Sequence, residues 1–93
     1  MHKYELYPTT KYRKDRKRLK KRGLDMTKLD TVIEMLANGE ELPEKYRDHA
    51  LVGNLKGYRD CHIEPDWLLI YKIDGDRLVL ILSQTGSHAD LLE

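Results

Sequence analysis

The chain has 93 residues and a mass of 11.0 kDa, which is the size of one small domain, so we expect residues 1–93 to fold as a single unit. Hydrophobic residues make up 40% of it and its longest apolar runs have five residues, which excludes a wholly disordered chain and a membrane-spanning helix. The formal net charge of +1 hides a polarised sequence, because residues 1–22 carry ten basic and two acidic side chains, whereas the remainder carries seven basic and fourteen acidic ones.

The first predicted elements are a short strand and a strongly basic helix. Residues 3–7 alternate polar and apolar side chains, which is typical of a strand. Thr9 or Thr10 can cap a helix that runs to Arg22, and Gly23 follows where a left-handed residue is favoured. The apolar stripe of this helix is thin, so we expect the helix to display charge more than to build core.

A second helix is predicted by its apolar spacing. Asp25 can cap it and Asn38-Gly39 can end it. Together the two helices form an antiparallel hairpin around Gly23, and residues 40–50 are predicted to be a surface connection. The apolar face of the second helix consists of Leu29, Val32, Ile33, Leu36 and Ala37.

The second half of the chain has the pattern of three strands. Residues 56–64 alternate, while residues 67–74 and 77–84 are nearly all apolar, with a hairpin turn at Asp74-Gly75-Asp76. Apolar side chains on both faces are typical of strands that are buried on two sides. The sequence therefore predicts an α+β fold of order β-α-α-β-β-β, in which a helical hairpin packs on an antiparallel sheet.

Three histidines lie where this meander would bring them together. His49 ends the connection, His62 lies on the first strand of the meander, and His88 follows the last strand. Asp66, in the turn after His62, can lie beside that ring, and Asp60 and Glu64 share the predicted face of His62. Imidazoles near carboxylates suit acid-base chemistry at neutral pH, although each of these residues alone is more often an ordinary loop, turn or surface residue.

The sequence lacks the cysteine pairs and the closely spaced ligand pairs that disulfides and metal sites need. Cys61 is the single cysteine, so an internal disulfide is impossible, and its position opposite His62 on the strand predicts a buried thiol. We therefore expect a reducing, cytoplasmic location. The three histidines could hold zinc, but closely spaced His or Cys pairs are missing, so we predict neither a metal nor another cofactor.

A family resemblance is carried by residues 45–51 (KYRDHAL), 57–71 (GYRDCHIEPDWLLIY) and 85–91 (TGSHADL). Together with the basic first helix and the total length, these runs resemble the YafQ-like branch of the RelE/ParE superfamily of bacterial type II toxins. The resemblance implies an endonuclease that cleaves mRNA in the A site of the 70S ribosome. It also implies that a cognate antitoxin binds the toxin in an inactive complex, which contacts DNA through the antitoxin.

The same resemblance assigns residues to the reaction. It implies that His49, His62, Asp66 and His88 are catalytic, and that Trp67 is the tryptophan of the family motif. The chemistry implied is metal-free: a base removes the proton of a 2′-hydroxyl, the oxygen attacks the adjacent phosphorus, and an acid protonates the departing 5′-oxygen. His88 is the preferred candidate for the acid, with His62 or Asp66 as base or positioning group.

RNA contact is expected mainly from the basic helix. A run of charge is often only a solvated face, but cations surround this helix so densely that salt-dependent binding of ribosomal RNA is favoured, with an antitoxin contact on the same surface. Gln84 stands where many family members have an arginine, and Leu92 where they have an aromatic residue, which would weaken contacts to substrate. The residues expected to bind RNA are Lys11, Lys14, Lys17, Arg18, Lys21, Arg59 and Gln84.

Two other functions compete with this interpretation. One is a non-catalytic inhibitor of the gyrase-inhibiting type on the same fold, but that branch of the superfamily lacks the histidine cluster. The other is a decayed toxin that is retained as an antitoxin-binding protein, and Gln84 is its only support in the sequence.

Overall fold

The structure is a computed structural model that describes residues 2–91, so the predicted effect of Leu92 lies outside the described residues. A five-stranded sheet carries two long helices and a short third one. Within the described range, no helix combines the length and the apolar character that crossing a membrane requires. In chain order the elements are β1 (Glu5–Pro8), α1 (Thr10–Lys21), α2 (Met26–Ala37), β2 (His49–Ala50), β3 (Arg59–Glu64), β4 (Trp67–Asp74), β5 (Val79–Gly86) and α3 (His88–Leu91), with single 3₁₀ turns at Glu44–Tyr46 and Gly53–Leu55.

Both long helices begin where the sequence predicts; α2 also ends there, and α1 ends at Lys21, one residue before the predicted Arg22. The Thr9 hydroxyl accepts a hydrogen bond from the Tyr12 N–H at 3.1 Å, and the Asp25 carboxylate accepts one from the Thr27 N–H at 2.9 Å. Gly23 has a φ of +88°, the left-handed conformation that lets the chain reverse between the helices. The predicted helical hairpin is therefore confirmed.

The strand order in the sheet is β1-β5-β4-β3-β2. Strands β2 to β5 pair antiparallel with their neighbours, which confirms the predicted α+β fold with its antiparallel meander. Strand β1 adds one parallel pair, with Glu5 opposite Val79, at the edge of the sheet. Residue alternation shows that a segment is a strand but carries no information about its direction, so the sequence did not predict this pair.

Several boundaries differ from the sequence prediction, beginning with β1, which spans Glu5–Pro8 instead of residues 3–7. Residues 40–50 are not only a connection, because they end in β2, where His49 pairs with Asp60 of β3. Two residues are too few to show a period. Strand β3 begins at Arg59 instead of residue 56, and β5 begins at Val79 instead of residue 77, after a turn that contains Leu78 at a φ of +55°.

Both faces of the central strands carry buried apolar side chains, and the helices cover one of these faces. On one face Cys61 and Leu69, which pair across β3 and β4, belong to the core beneath α1 and α2. Cys61 is fully buried as predicted, and burial raises the pKa of its thiol. Leu68 and Ile70 alternate with these core residues along β4, so their side chains lie on the opposite face of the sheet, where they are also fully buried. His62, which pairs with Leu68, lies on this second face.

Candidate active site

The centre of the candidate site is a pair formed by His88 and Asp66. Asp66 Oδ1 accepts hydrogen bonds from the ring Nδ1 of His88 at 2.7 Å and from the backbone N–H of the same residue at 3.0 Å. These two bonds, the backbone one first, lower the pKa of Asp66, so it is a carboxylate at neutral pH. Because Nδ1 is occupied as a donor, Nε2 is the atom of His88 that is left to meet a substrate.

His62 lies next to this pair. Its ring centroid is 5.4 Å from that of His88, and the two rings meet edge to face at 73°. The strand register explains the proximity, since His62 pairs with Leu68 of β4 and Leu68 pairs with Gly86 of β5, two residues before His88. The sequence analysis expected the meander to bring His62, Asp66 and His88 together, and the structure places them side by side.

The third histidine has a different carboxylate partner. The Nδ1 atom of His49 donates to the carbonyl oxygen of Arg47 at 2.8 Å and lies 3.1 Å from Asp60 Oδ1. Arg47 has a φ of +49°, a left-handed backbone conformation that residues other than glycine rarely adopt. Among the described side chains, His49 pairs with neither His62 nor His88, and its carboxylate partner is Asp60.

Asp60 is a further residue of the site, which the sequence analysis placed on the face of His62 without assigning it a role in the reaction. It is 1% exposed, and its Oδ1 accepts no hydrogen bond from any residue between 2 and 91. Burial raises the pKa of Asp60, while the nearby rings of His49, His62 and His88 act in the opposite direction. The available signal was its position two residues before His62, which places both side chains on one face of β3.

Glu64 does not join the histidines, contrary to the sequence prediction. It instead pairs with Lys28 of α2 at 2.5 Å. The physical reason is a register shift of β3 against β4 between His62 and Glu64, which breaks the simple alternation of side chains.

These features agree with those of a known protein family. The sequence profile of the family described as "Bacterial toxin of type II toxin-antitoxin system, YafQ" matches residues 4–93. The chain belongs to the YafQ toxin family. Over 81 residues, 86% of each chain, it is 51% identical to the "mRNA interferase toxin YafQ" of Escherichia coli strain K12.

Solved structures of the YafQ family share the fold. The toxin chain of the E. coli DinJ-YafQ toxin-antitoxin complex has 42% sequence identity and a TM-score of 0.90, with 98% of this chain and 99% of that chain covered. A metal-bound toxin from Helicobacter pylori has 41% identity and a TM-score of 0.89, with 95% and 98% covered. In the part of the present chain that the structure describes, no three His, Cys, Asp or Glu side chains are grouped to hold a metal ion.

The cations predicted to bind RNA in this YafQ-family chain fall into two groups. Lys14, Lys17 and Lys21 are exposed on α1. Lys11 and Arg18 lie on the same helix but form ion pairs with the buried Asp15, at 3.0 and 3.1 Å. The sequence interpretation, in which cations surround the helix for RNA contact, missed this division because Asp15 is the only acid among them.

The other two predicted RNA-binding residues lie on opposite sides of the sheet. Arg59 pairs with Asp48 at 3.1 Å, on the side away from His62. Gln84 is opposite Ile70 on β4, and Ile70 is opposite Asp60, so Gln84 lies in the same cross-strand row as Asp60. Gln84 is therefore on the histidine face, whereas Arg59 is not.

A groove of about 620 Å³ begins at His62 and runs between the end of β3 and α2. Lys45 and Arg47 contribute two exposed positive charges to its wall, and neither forms an ion pair with another residue in the range 2–91. Beside them the half-buried ring of Tyr46 lies 5.1 Å from the Lys45 ammonium. The remaining lining residues are Lys28, Thr31, Ile63, Glu64 and Pro65.

Proposed function

We propose that this chain is an mRNA interferase, an endoribonuclease toxin that cuts mRNA in the A site of the 70S ribosome and so inhibits translation. The observation that carries the proposal is the His88–Asp66 pair with His62 at 5.4 Å, an arrangement that can transfer protons on both sides of a phosphodiester. Membership of the YafQ family and the name of the E. coli relative support it.

The proposed reaction needs no group beyond the side chains and the RNA. His62 removes the proton of the 2′-hydroxyl, and that oxygen attacks the adjacent phosphorus. The bond to the 5′-oxygen breaks as His88 donates the Nε2 proton to it, leaving a 2′,3′-cyclic phosphate and a 5′-hydroxyl. Asp66, which accepts both hydrogen bonds from His88, is the group that orients the acid.

His49 has the third role in this scheme. Its ring Nδ1 lies 3.1 Å from Asp60 Oδ1, a contact that orients the imidazole, and we assign this ring the stabilisation of negative charge on the phosphoryl oxygens. Many YafQ-like toxins have an arginine at the position of Gln84. The neutral amide of Gln84, in the same cross-strand row as Asp60, would bind the phosphate more weakly than an arginine does. His49 therefore carries more of the electrostatic stabilisation in the proposed reaction.

The proposed partners are the ribosome and a cognate antitoxin. The exposed cations Lys14, Lys17 and Lys21 suit ribosomal RNA, whose phosphates would release counterions on contact. A solved complex of E. coli YafQ with DinJ supports inhibition by an antitoxin in a heteromeric complex. We propose the cytoplasm as the location, because that is where translating ribosomes are found in bacteria.

The test of this function is the chemistry of the cut ends. Ribosomes programmed with a defined mRNA are incubated with the purified chain, and the ends are mapped by primer extension and by their reactivity toward polynucleotide kinase. We expect a cut in the A-site codon that leaves a 5′-hydroxyl. Intact mRNA together with trapped DNA breaks would replace the proposal by the gyrase-inhibiting alternative.

Chelation of transition metals is expected to leave the cleavage rate unchanged. The proton transfers are assigned to imidazoles, and residues 2–91 contain no grouped metal ligands. The assay uses 1,10-phenanthroline, because it removes zinc and copper but leaves the Mg²⁺ that ribosomes require. A loss of cleavage that added zinc restores would contradict the metal-free mechanism.

The groove beside His62 is the proposed path of the mRNA strand next to the cut. Replacing both Lys45 and Arg47 by glutamine is expected to raise KM for programmed ribosomes about 10-fold, with kcat changed less than about twofold, since each cation loses a phosphate contact. The matched control removes two exposed cations far from the groove, Lys3 and Arg77. An equal rise of KM in the control would show that only the total charge matters.

A further inference from the structure

Asp15 is a buried acid in the most basic segment of the chain. Only 1% of it is exposed, and its carboxylate accepts hydrogen bonds from Lys11 Nζ at 3.0 Å, from Arg18 Nη1 at 3.1 Å and from the backbone N–H of Thr85 at 3.1 Å. Burying a carboxylate is costly unless it is paired and hydrogen-bonded, and here both conditions hold. The third bond joins α1 to the end of β5, 70 residues further along the chain.

Thr85 connects Asp15 to both members of the His88–Asp66 pair. It is fully buried, and its hydroxyl accepts a hydrogen bond from Trp67 Nε1 at 3.0 Å and donates one to the carbonyl oxygen of Leu68 at 2.7 Å. Trp67 directly follows Asp66, and Thr85 precedes His88 by three residues. One hydrogen-bonded network thus fixes the backbone on which each partner of the pair stands.

A second set of contacts from α1 reaches the turn that carries His88. The Asp90 carboxylate accepts a hydrogen bond from the Ser87 N–H, and the Ser87 hydroxyl accepts one from the Asp90 N–H, both at 3.1 Å. This reciprocal arrangement is a capping box around His88. Arg22 lies 3.4 Å and Arg18 3.7 Å from the same Asp90 carboxylate, so Arg18 contacts Asp15 and Asp90 together.

We propose that Asp15 and Arg18 are positioning residues for the cleavage reaction, because they hold residues 85–90 so that His88 faces Asp66 and His62. The inference rests on the proposed function in one respect, namely that His88 takes part in the reaction. Helix α1 then has two functional sides. One side, which we call the brace, consists of Lys11, Asp15, Arg18 and Arg22, and the other is the set of exposed cations Arg13, Lys14, Lys17, Lys20 and Lys21.

Two double variants with the same loss of charge separate these sides. Lys11→Gln with Arg18→Gln removes cations of the brace, whereas Lys14→Gln with Lys17→Gln removes two exposed cations from the same helix. We expect the brace variant to lower kcat about 10- to 100-fold, since small misplacements of catalytic groups have effects of that size. The exposed-cation variant is expected to raise KM and to weaken its salt dependence at an unchanged kcat. If both variants changed KM alone, the brace would be overturned.

A purely structural role of Asp15 is tested by comparing it with a core variant. Asp15→Asn removes the charge at nearly constant shape, and Val32→Ala destabilises the fully buried core of α2. Among residues 2–91, the hydrogen bonds to residues 85–90 come from elements other than α2. Both are studied by NMR at temperatures where each is folded, and the ring signals of His62 and His88 and the pH profile of kcat are recorded. We expect shifted signals and an altered profile only for Asp15→Asn.

The outcomes distinguish this inference from the proposed function. If Asp15→Asn and Val32→Ala gave the same ring signals, pH profile and kcat, Asp15 would be a stability residue and the inference would be wrong. If the unmodified chain cut no mRNA on ribosomes, the proposed function would fail, whereas the NMR signals would still show whether Asp15 orients His88.

Discussion

Replacing His88 by alanine is expected to lower kcat for mRNA cleavage about 10²- to 10⁴-fold, the usual contribution of a general acid or base. The Nδ1 atom of His88 is held by Asp66 at 2.7 Å, so Nε2 is the nitrogen that can deliver a proton to the departing oxygen. Alanine leaves this oxygen to be protonated by water. The measurement is the single-turnover rate of cleavage on programmed ribosomes, followed by primer extension.

The control for this variant is another exposed histidine of the same chain. His2 pairs with Glu34 at 2.7 Å, and neither residue belongs to the candidate site. We expect His2→Ala to cleave mRNA at the rate of the unmodified chain. A His88→Ala variant that still stopped growth and cut mRNA at that rate would contradict the assignment of His88 to the reaction.

The part of the site that the sequence predicts is the part that depends on local pattern. Residue alternation places Asp60 and His62 on one face of β3, and the hairpins bring His88 to the same end of the sheet. The family motif, with its His-x-Glu-Pro-Asp-Trp element at residues 62–67, supplied the assignment of Asp66. For these residues, a period of two and a short turn are sufficient geometric information.

The parts that the sequence does not predict depend on contacts between distant segments. Asp15 looks like a minor interruption of a basic helix until Thr85 is seen to donate to it across 70 residues. Likewise, the division of the α1 cations follows from what packs against each side, which helical periodicity alone does not specify. Glu64 is mispredicted because the register shift in β3 is a property of the strand pair and leaves no mark in the sequence of one strand.

The burial of Asp60 leads to the second prediction, in which a variant is more stable than the unmodified chain at neutral pH. Burial raises the pKa of Asp60 above its value in the unfolded chain. The stability that a protonated Asp60 contributes is therefore present at low pH and is lost as the pH rises through the folded-state pKa. Asp60→Asn does not titrate, so its advantage in unfolding free energy should grow between about pH 4 and pH 7, by about 1.4 kcal/mol for each unit of the shift.

The same substitution is expected to reduce cleavage, because Asp60 Oδ1 lies 3.1 Å from the Nδ1 atom of His49 and orients the ring that is proposed to stabilise the phosphoryl oxygens. We expect kcat to fall about 10-fold, the scale of one weakened electrostatic contact in the transition state. Urea unfolding at pH 4 and pH 7, combined with the ribosome assay, tests both effects. Asp76→Asn, an exposed substitution in the turn between β4 and β5, is the control and should change neither. If Asp60→Asn were less stable and had an unchanged kcat, the buried carboxylate would serve the fold and the prediction would be wrong. A carboxylate that serves the reaction is expected to show the opposite pattern, in which its ionised form lowers stability but raises kcat.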